Sequence, residues 1–107
     1  MTVGIARITL FLPGSHSLKD KRMVLRRVKS KVRDKFNAAV AEVGENDLWQ
    51  RAALGLTVVG NERGFTESAL DEVIRFVSGE AEVTNVEREI QTFNDSVGAG
   101  FDFERRS

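Results

Sequence analysis

The hydrophobic period of this chain changes abruptly at Pro13-Gly14, and few folds accommodate such a change. From Val3 to Leu12 the residues alternate. Gly4, Ala6, Ile8, Leu10 and Leu12 share one side, and Val3, Ile5, Arg7, Thr9 and Phe11 share the other. Period two predicts a strand, with the even side the more consistently apolar. Pro13-Gly14 ends it. Beyond the break, Leu18, Leu25, Val28, Val32 and Phe36 fall on one stripe when spaced at about 100° per residue. Ser17 suits a helix N-cap, and Asp20 stands where a capping box places its acid. A half-apolar strand therefore leads directly into an amphipathic helix over 17–36, and the helix is expected to bury its stripe against the sheet.

The same alternation of periods recurs in the second half. Ala38 to Val43 predicts a short strand and Trp49 to Gly60 a longer one, with Leu54, Leu56 and Val58 on one side. The polar loop Gly44 to Asp47 between them makes a hairpin. Thr66 is the expected cap of a second helix, with Ala69, Leu70, Val73, Ile74 and Val77 as its buried stripe and Gly79 as its C′ residue. Val83 to Phe93 predicts a last strand, although Arg88 interrupts the side that carries Val86 and Ile90. The order strand, helix, strand, strand, helix, strand predicts an α+β, ferredoxin-like βαββαβ sandwich: a four-stranded antiparallel sheet with two helices on one side. Residues 1–93 form the expected single domain. Residues 94–107 form a C-terminal tail, expected to be mobile unless Phe101 and Phe103 dock.

Bulk properties narrow the class. One domain is what 107 residues predict. There is no cysteine, hence no disulfide framework and no thiolate metal site. The stretch from Thr2 to Leu12 is interrupted by Arg7 and lacks the flanks of a signal peptide. No apolar run reaches the roughly 20 residues that span a bilayer. The expectation is a cytoplasmic protein without a membrane partner.

Two stretches are more specific than this pattern. Residues 12–22 read LPGSHSLKDKR, and residues 41–62 read AEVGENDLWQRAALGLTVVGNE. Together they resemble the YlxP-like family of small bacterial proteins, over a span from about Val3 to about Ile90. The resemblance implies a ferredoxin-like fold. It also implies a link to ribosomes or RNA, because genes of this family often sit beside those for transcription elongation, translation initiation and ribosome maturation factors. It supplies no catalytic residues to carry over.

Charge is the strongest functional signal. The segment from Ser17 to Phe36 holds nine Lys and Arg against Asp20 and Asp34, nine minus two or +7, in a chain whose formal net charge is zero. Lys19, Arg22, Arg26, Lys29 and Arg33 step by three and four residues and so form one ridge. At 1.5 Å per residue the ridge is about 21 Å long. Lys21, Lys31 and Lys35 are expected to border the other side of the stripe, and Arg27 to occupy the outermost face. Such sorting suits a polyanion, with RNA the first candidate in this setting. The expected phosphate contacts are Lys19, Lys21, Arg22, Arg26, Lys29 and Arg33. The alternative is a solvated face neutralised from elsewhere, for instance by Glu87 and Glu89.

Other features are weaker. Gly14, Ser15, His16 and Ser17 run into a helix N-terminus, where free N–H groups can hold an anion; simple capping by Ser17 accounts for the same residues. His16 is the sole histidine and makes neither a metal site nor a catalytic set by itself. Trp49 is expected to pack over the core rim, with stacking on a base as the alternative. Glu45 and Asp47 are expected to solvate the turn. Val3, Ile5, Phe11 and Val59 point away from the helices and mark a possible protein interface, favouring a homodimer or a docked tail over RNA on that side. The sequence thus predicts a non-catalytic RNA-binding accessory protein, with neither cofactor nor metal, acting around ribosomes. A protein-interaction or dimerisation module using the open sheet face is the alternative.

Overall fold

The computed structural model describes residues 1–45 and 47–93. The tail and its Phe101 and Phe103 lie outside the described residues. The elements follow in the expected order: β1 (Thr2–Phe11), α1 (Leu18–Lys35), β2 (Ala38–Gly44), β3 (Arg51–Gly60), α2 (Arg63–Glu80) and β4 (Glu82–Thr92). The sheet has the order β2-β3-β1-β4, and every neighbouring pair is antiparallel. This is the ferredoxin-like sandwich that the two alternating periods predict. Among the described residues, no helix is long and apolar enough to cross a membrane.

β1 lies at the centre, and its even side is apolar from Gly4 onward. Ala6, Ile8, Leu10 and the following Leu12 are buried, and beside them lie Leu54, Leu56 and Val58 of β3. The helices close over this side. Leu25, Val28 and Val32 of α1 and Leu70, Val73 and Val77 of α2 complete one core. Each such side chain contributes about 1.5–3 kcal/mol through its removal from water. Phe36 and Phe76 join the two helices edge to face at 5.5 Å between ring centroids.

The helix ends show local chemistry. Ser17 caps α1, its Oγ accepting from the Asp20 N–H at 3.1 Å. Asp20 returns the favour one residue early, its Oδ2 accepting from the His16 N–H at 3.1 Å rather than from Ser17. α2 starts a turn before the expected Thr66, at Arg63, with Glu62 as its N-cap. Thr66 is buried instead, and its hydroxyl donates to the Glu62 carbonyl at 2.8 Å. Gly79 lies inside α2 rather than beyond it: Ala81 is the C-cap and its N–H donates to Val77 O. The interruption at Arg88 is also explained, because this residue of edge strand β4 pairs with Asp71 of α2. Ser17→Ala should lower the unfolding free energy by about 1 kcal/mol in urea denaturation, with an unchanged slope, through loss of the α1 cap.

Candidate nucleic-acid interface

The stripe of α1 points into the core, so the residues beside it point out. Lys19, Arg22, Arg26 and Arg33 are exposed and Lys29 is half-buried. Among the described residues, no ion pair engages Lys19, Arg22, Arg26, Arg27 or Lys29. Neighbouring like charges three and four residues apart cost a few tenths of a kcal/mol per pair. Arg33 donates to the Val40 carbonyl of edge strand β2 at 3.0 Å, which shows the direction the ridge faces. Glu87 and Glu89 do not neutralise it. They lie across from Arg7 and Ile5 of β1, on the open side of the sheet, and Glu87 pairs there with Arg7 at 3.1 Å.

The cations on the opposite flank are engaged. Lys31 meets both carboxylate oxygens of Glu80 at 3.1 and 3.2 Å. The Lys35 ammonium lies 5.1 Å from the ring centroid of Phe76 and 5.9 Å from that of Phe36, within cation–π range.

Lys21 is not a surface contact. Its side chain is 2% exposed, and its ammonium donates to the carbonyls of Glu45 and Leu48, the latter at 2.8 Å. Glu42 Oε2 stands 3.3 Å away, an ion pair without hydrogen-bond geometry. The reason lies in its helical position. Lys21 is four residues before Leu25 and seven before Val28, so it belongs to the buried stripe itself. That spacing was visible in the sequence, and the run of charges around it hid the signal. Removal of Lys21 leaves eight cations against two acids on α1, or +6, and takes one residue out of the expected phosphate set.

The 13–17 loop is not an open anion cradle. Ser15 is buried and its N–H donates to the Leu12 carbonyl at 3.1 Å. The His16 N–H is taken by Asp20, whose carboxylate also occupies the positive end of α1. Gly14 is exposed, and Ser17 serves as the cap.

The hairpin loop differs most from expectation. Trp49 does not pack over the core rim; it is 54% exposed, beside Leu48 at 45%. Yet the backbone here is tied down. Lys21 holds the Leu48 carbonyl, Gln50 O accepts from the Leu12 N–H at 2.8 Å, and the Gln50 amide donates to Pro13 O and Ser15 O at 3.2 and 3.3 Å. Glu45 has φ 61°, a left-handed conformation that costs a non-glycine residue about 1 kcal/mol. Its carbonyl accepts from both Lys21 and the Leu48 N–H, and its carboxylate lies 3.5 Å from Arg51. Glu45 therefore shapes the turn rather than merely solvating it.

On the open side of the sheet, Ile5 is 40% exposed and Val59 60%, while Val3 and Phe11 are half-buried. Val43 lies over Gly55, where any Cβ would collide with it. Among the described residues, no three His, Cys, Asp or Glu side chains gather around a point where a metal ion would sit.

The chain belongs to the family described as "Protein of unknown function (DUF503)", whose model matches residues 3–90. It is 36% identical to "Uncharacterized protein YlxP" of Bacillus subtilis (strain 168) over 81 residues, 76% of this chain and 88% of that protein. Among solved structures it is similar to LarC2, the C-terminal domain of a cyclometallase involved in synthesis of the NPN cofactor of lactate racemase. That likeness has a TM-score of 0.55 at 17% identity and covers 88% of this chain, but the chain spans only 57% of the LarC2 one. The de novo designed protein LFR1 1, with a ferredoxin fold, matches at a TM-score of 0.50, 14% identity and 87% coverage of both chains. At such identities the structural likeness is one of fold.

Lys21→Met should cost about 3–5 kcal/mol in chemical denaturation, because it leaves Glu42 half-buried without its counter-charge and strips the Glu45 and Leu48 carbonyls of a donor. The same change at exposed Lys19 should move stability by less than about 0.5 kcal/mol.

Proposed function

We propose that this member of the DUF503 family is a non-catalytic RNA-binding accessory protein of the cytoplasm, working around ribosomes. The observation that carries the reading is the unpaired ridge on α1: Lys19, Arg22, Arg26 and Lys29, continued by Arg33 beside the β2 edge. A rigid helix carrying cations along about 21 Å offers phosphates a linear track. Contacts of this kind position a nucleic acid without reading its sequence. Among the described residues, no carboxylate pairs with the track; Glu42 meets Lys21 instead, Glu80 Lys31 and Glu87 Arg7. A catalytic role has less support, since Ser15 is buried, Ser17 is used as the helix cap and the His16 N–H is bonded to Asp20.

Binding to RNA should weaken steeply with salt. Four neutralised phosphates correspond to a slope of about −2.8 in log affinity against log salt for a single strand. Arg22→Glu, Arg26→Glu and Lys29→Glu combined should abolish binding in a filter or anisotropy titration while the far-UV spectrum stays unchanged. Wild-type affinity in that triple variant would show that α1 is not the site.

A second reading concerns the other side of the sheet. The exposure of Ile5 and Val59 beside half-buried Val3 and Phe11 favours a homodimer formed face to face through the open sheet. Glu87 and Glu89 lie in the middle of that side, opposite Arg7 and Ile5, and disfavour phosphates there. On this reading, sedimentation at high salt should show a dimer, and Ile5→Glu with Val59→Glu should give a folded monomer; a wild-type monomer at about 100 μM would rule it out.

A further inference from the structure

Trp49 poses a question that the cationic ridge does not answer. It is the sole tryptophan of the chain, and more than half of its surface faces water although apolar burial favours folding. An exposed tryptophan on a loose loop would mean little. Here the residues on both sides are fixed by interactions that are costly to build: a lysine buried to 2% exposure holds the Leu48 carbonyl, and the Gln50 amide donates twice across to the 13–15 loop. Burying a cation costs several kcal/mol unless its donors and charge are satisfied. The satisfied cation places an indole in solvent, where it adds nothing to the core.

The position of that indole relative to the ridge is set by the topology. α1 and β2 run in opposite directions: Arg33, near the end of α1, meets Val40 in β2, and Lys21, near its start, meets Glu42 and the loop beyond β2. The ridge from Arg33 to Lys19 therefore follows β2 toward the loop that bears Trp49. Arg22 adjoins in sequence the lysine whose ammonium is bonded to Leu48, the residue before Trp49. Lys19 and Arg22 at the start of α1 and the loop that bears Trp49 therefore lie at the same end of the sheet.

The cleft beside the ring is lined by Phe11, Leu48, Trp49 and Arg51, together with Asp47 and Gln50. Its one basic side chain, Arg51, faces Glu45 at 3.5 Å, and Asp47 is exposed at its rim. A phosphate would meet the Asp47 carboxylate here, whereas a neutral flat ring would meet an indole and a phenyl ring. We infer that Trp49 is a stacking platform for an unpaired base of a single-stranded RNA segment whose phosphates lie on Lys19, Arg22, Arg26 and Lys29. This rests on the RNA reading above and adds what that reading lacks, a preference for unpaired nucleotides over duplex. Aromatic stacking is tolerant of base identity, so the site selects exposed bases rather than a sequence.

The chain has one tryptophan and no tyrosine, so its intrinsic emission reports on Trp49. Full-length protein is titrated with oligoadenylate and, separately, with inorganic polyphosphate, which presents charge without bases. Oligoadenylate should quench the emission saturably, and polyphosphate should compete for the ridge without quenching. Trp49→Ala should weaken oligoadenylate binding about 5- to 100-fold, leaving polyphosphate affinity and the salt slope intact. Trp49→Phe should recover most of the loss. Equal oligoadenylate affinities for wild type and Trp49→Ala would overturn the platform, with or without quenching, while the ridge stands. Failure of both polymers to bind would overturn the ridge, and the platform with it.

Discussion

Burial of Leu25, Val28 and Val32 sets the rotation of α1 about its own axis, and the placement of its charges follows from that angle. These three side chains contribute several kcal/mol by leaving water, far more than the like-charge repulsion they impose on their neighbours. The helix cannot turn to disperse its cations without exposing its stripe. The ridge is thus held toward solvent by the core. The sheet supplies the matching constraint: β1 is apolar along its even side, so both helices must cover that side and leave the other open.

The same angle turns Lys21 inward. A cation in the middle of an apolar stripe is destabilising in isolation, yet here its ammonium has two carbonyls and a carboxylate around it. These partners come from β2 and from the loop after it, so one side chain links the first helix to the hairpin. That link ties the backbone next to the exposed Trp49 to the first turn of α1. Charge on α1 is therefore of three kinds: solvated Lys19, Arg22, Arg26, Arg27 and Lys29, with no ion pair among the described residues; Lys31, Arg33 and Lys35, engaged at the surface; and the internal Lys21.

Much of this was legible in the chain. The switch of period at Pro13-Gly14 separates β1 from α1, and Ser17 with Asp20 marks the helix start to within a residue. Lys21 was legible too, as the residue one helical turn before Leu25, but nine basic residues in one segment drew it into the wrong class. The α2 start was not, since the chain there lacks a capping side chain and Thr66 makes its hydrogen bond from inside the helix. Trp49 was misjudged because a large aromatic side chain is usually recruited to a core rim, and only the surrounding hydrogen bonds hold this one away.

Local spacing along the chain determined the elements, their order, the apolar faces and the clustering of positive charge, because period, capping and charge are properties of near neighbours. The tertiary structure decided which of those charges are paired and which acids they reach among the described residues. Glu87 and Glu89 fall on the far side of the sheet, and Glu42 and Glu80 fall beside particular lysines, through pairings between residues about 20 to 80 positions apart. Such distances are closed only when the sheet assembles around β1.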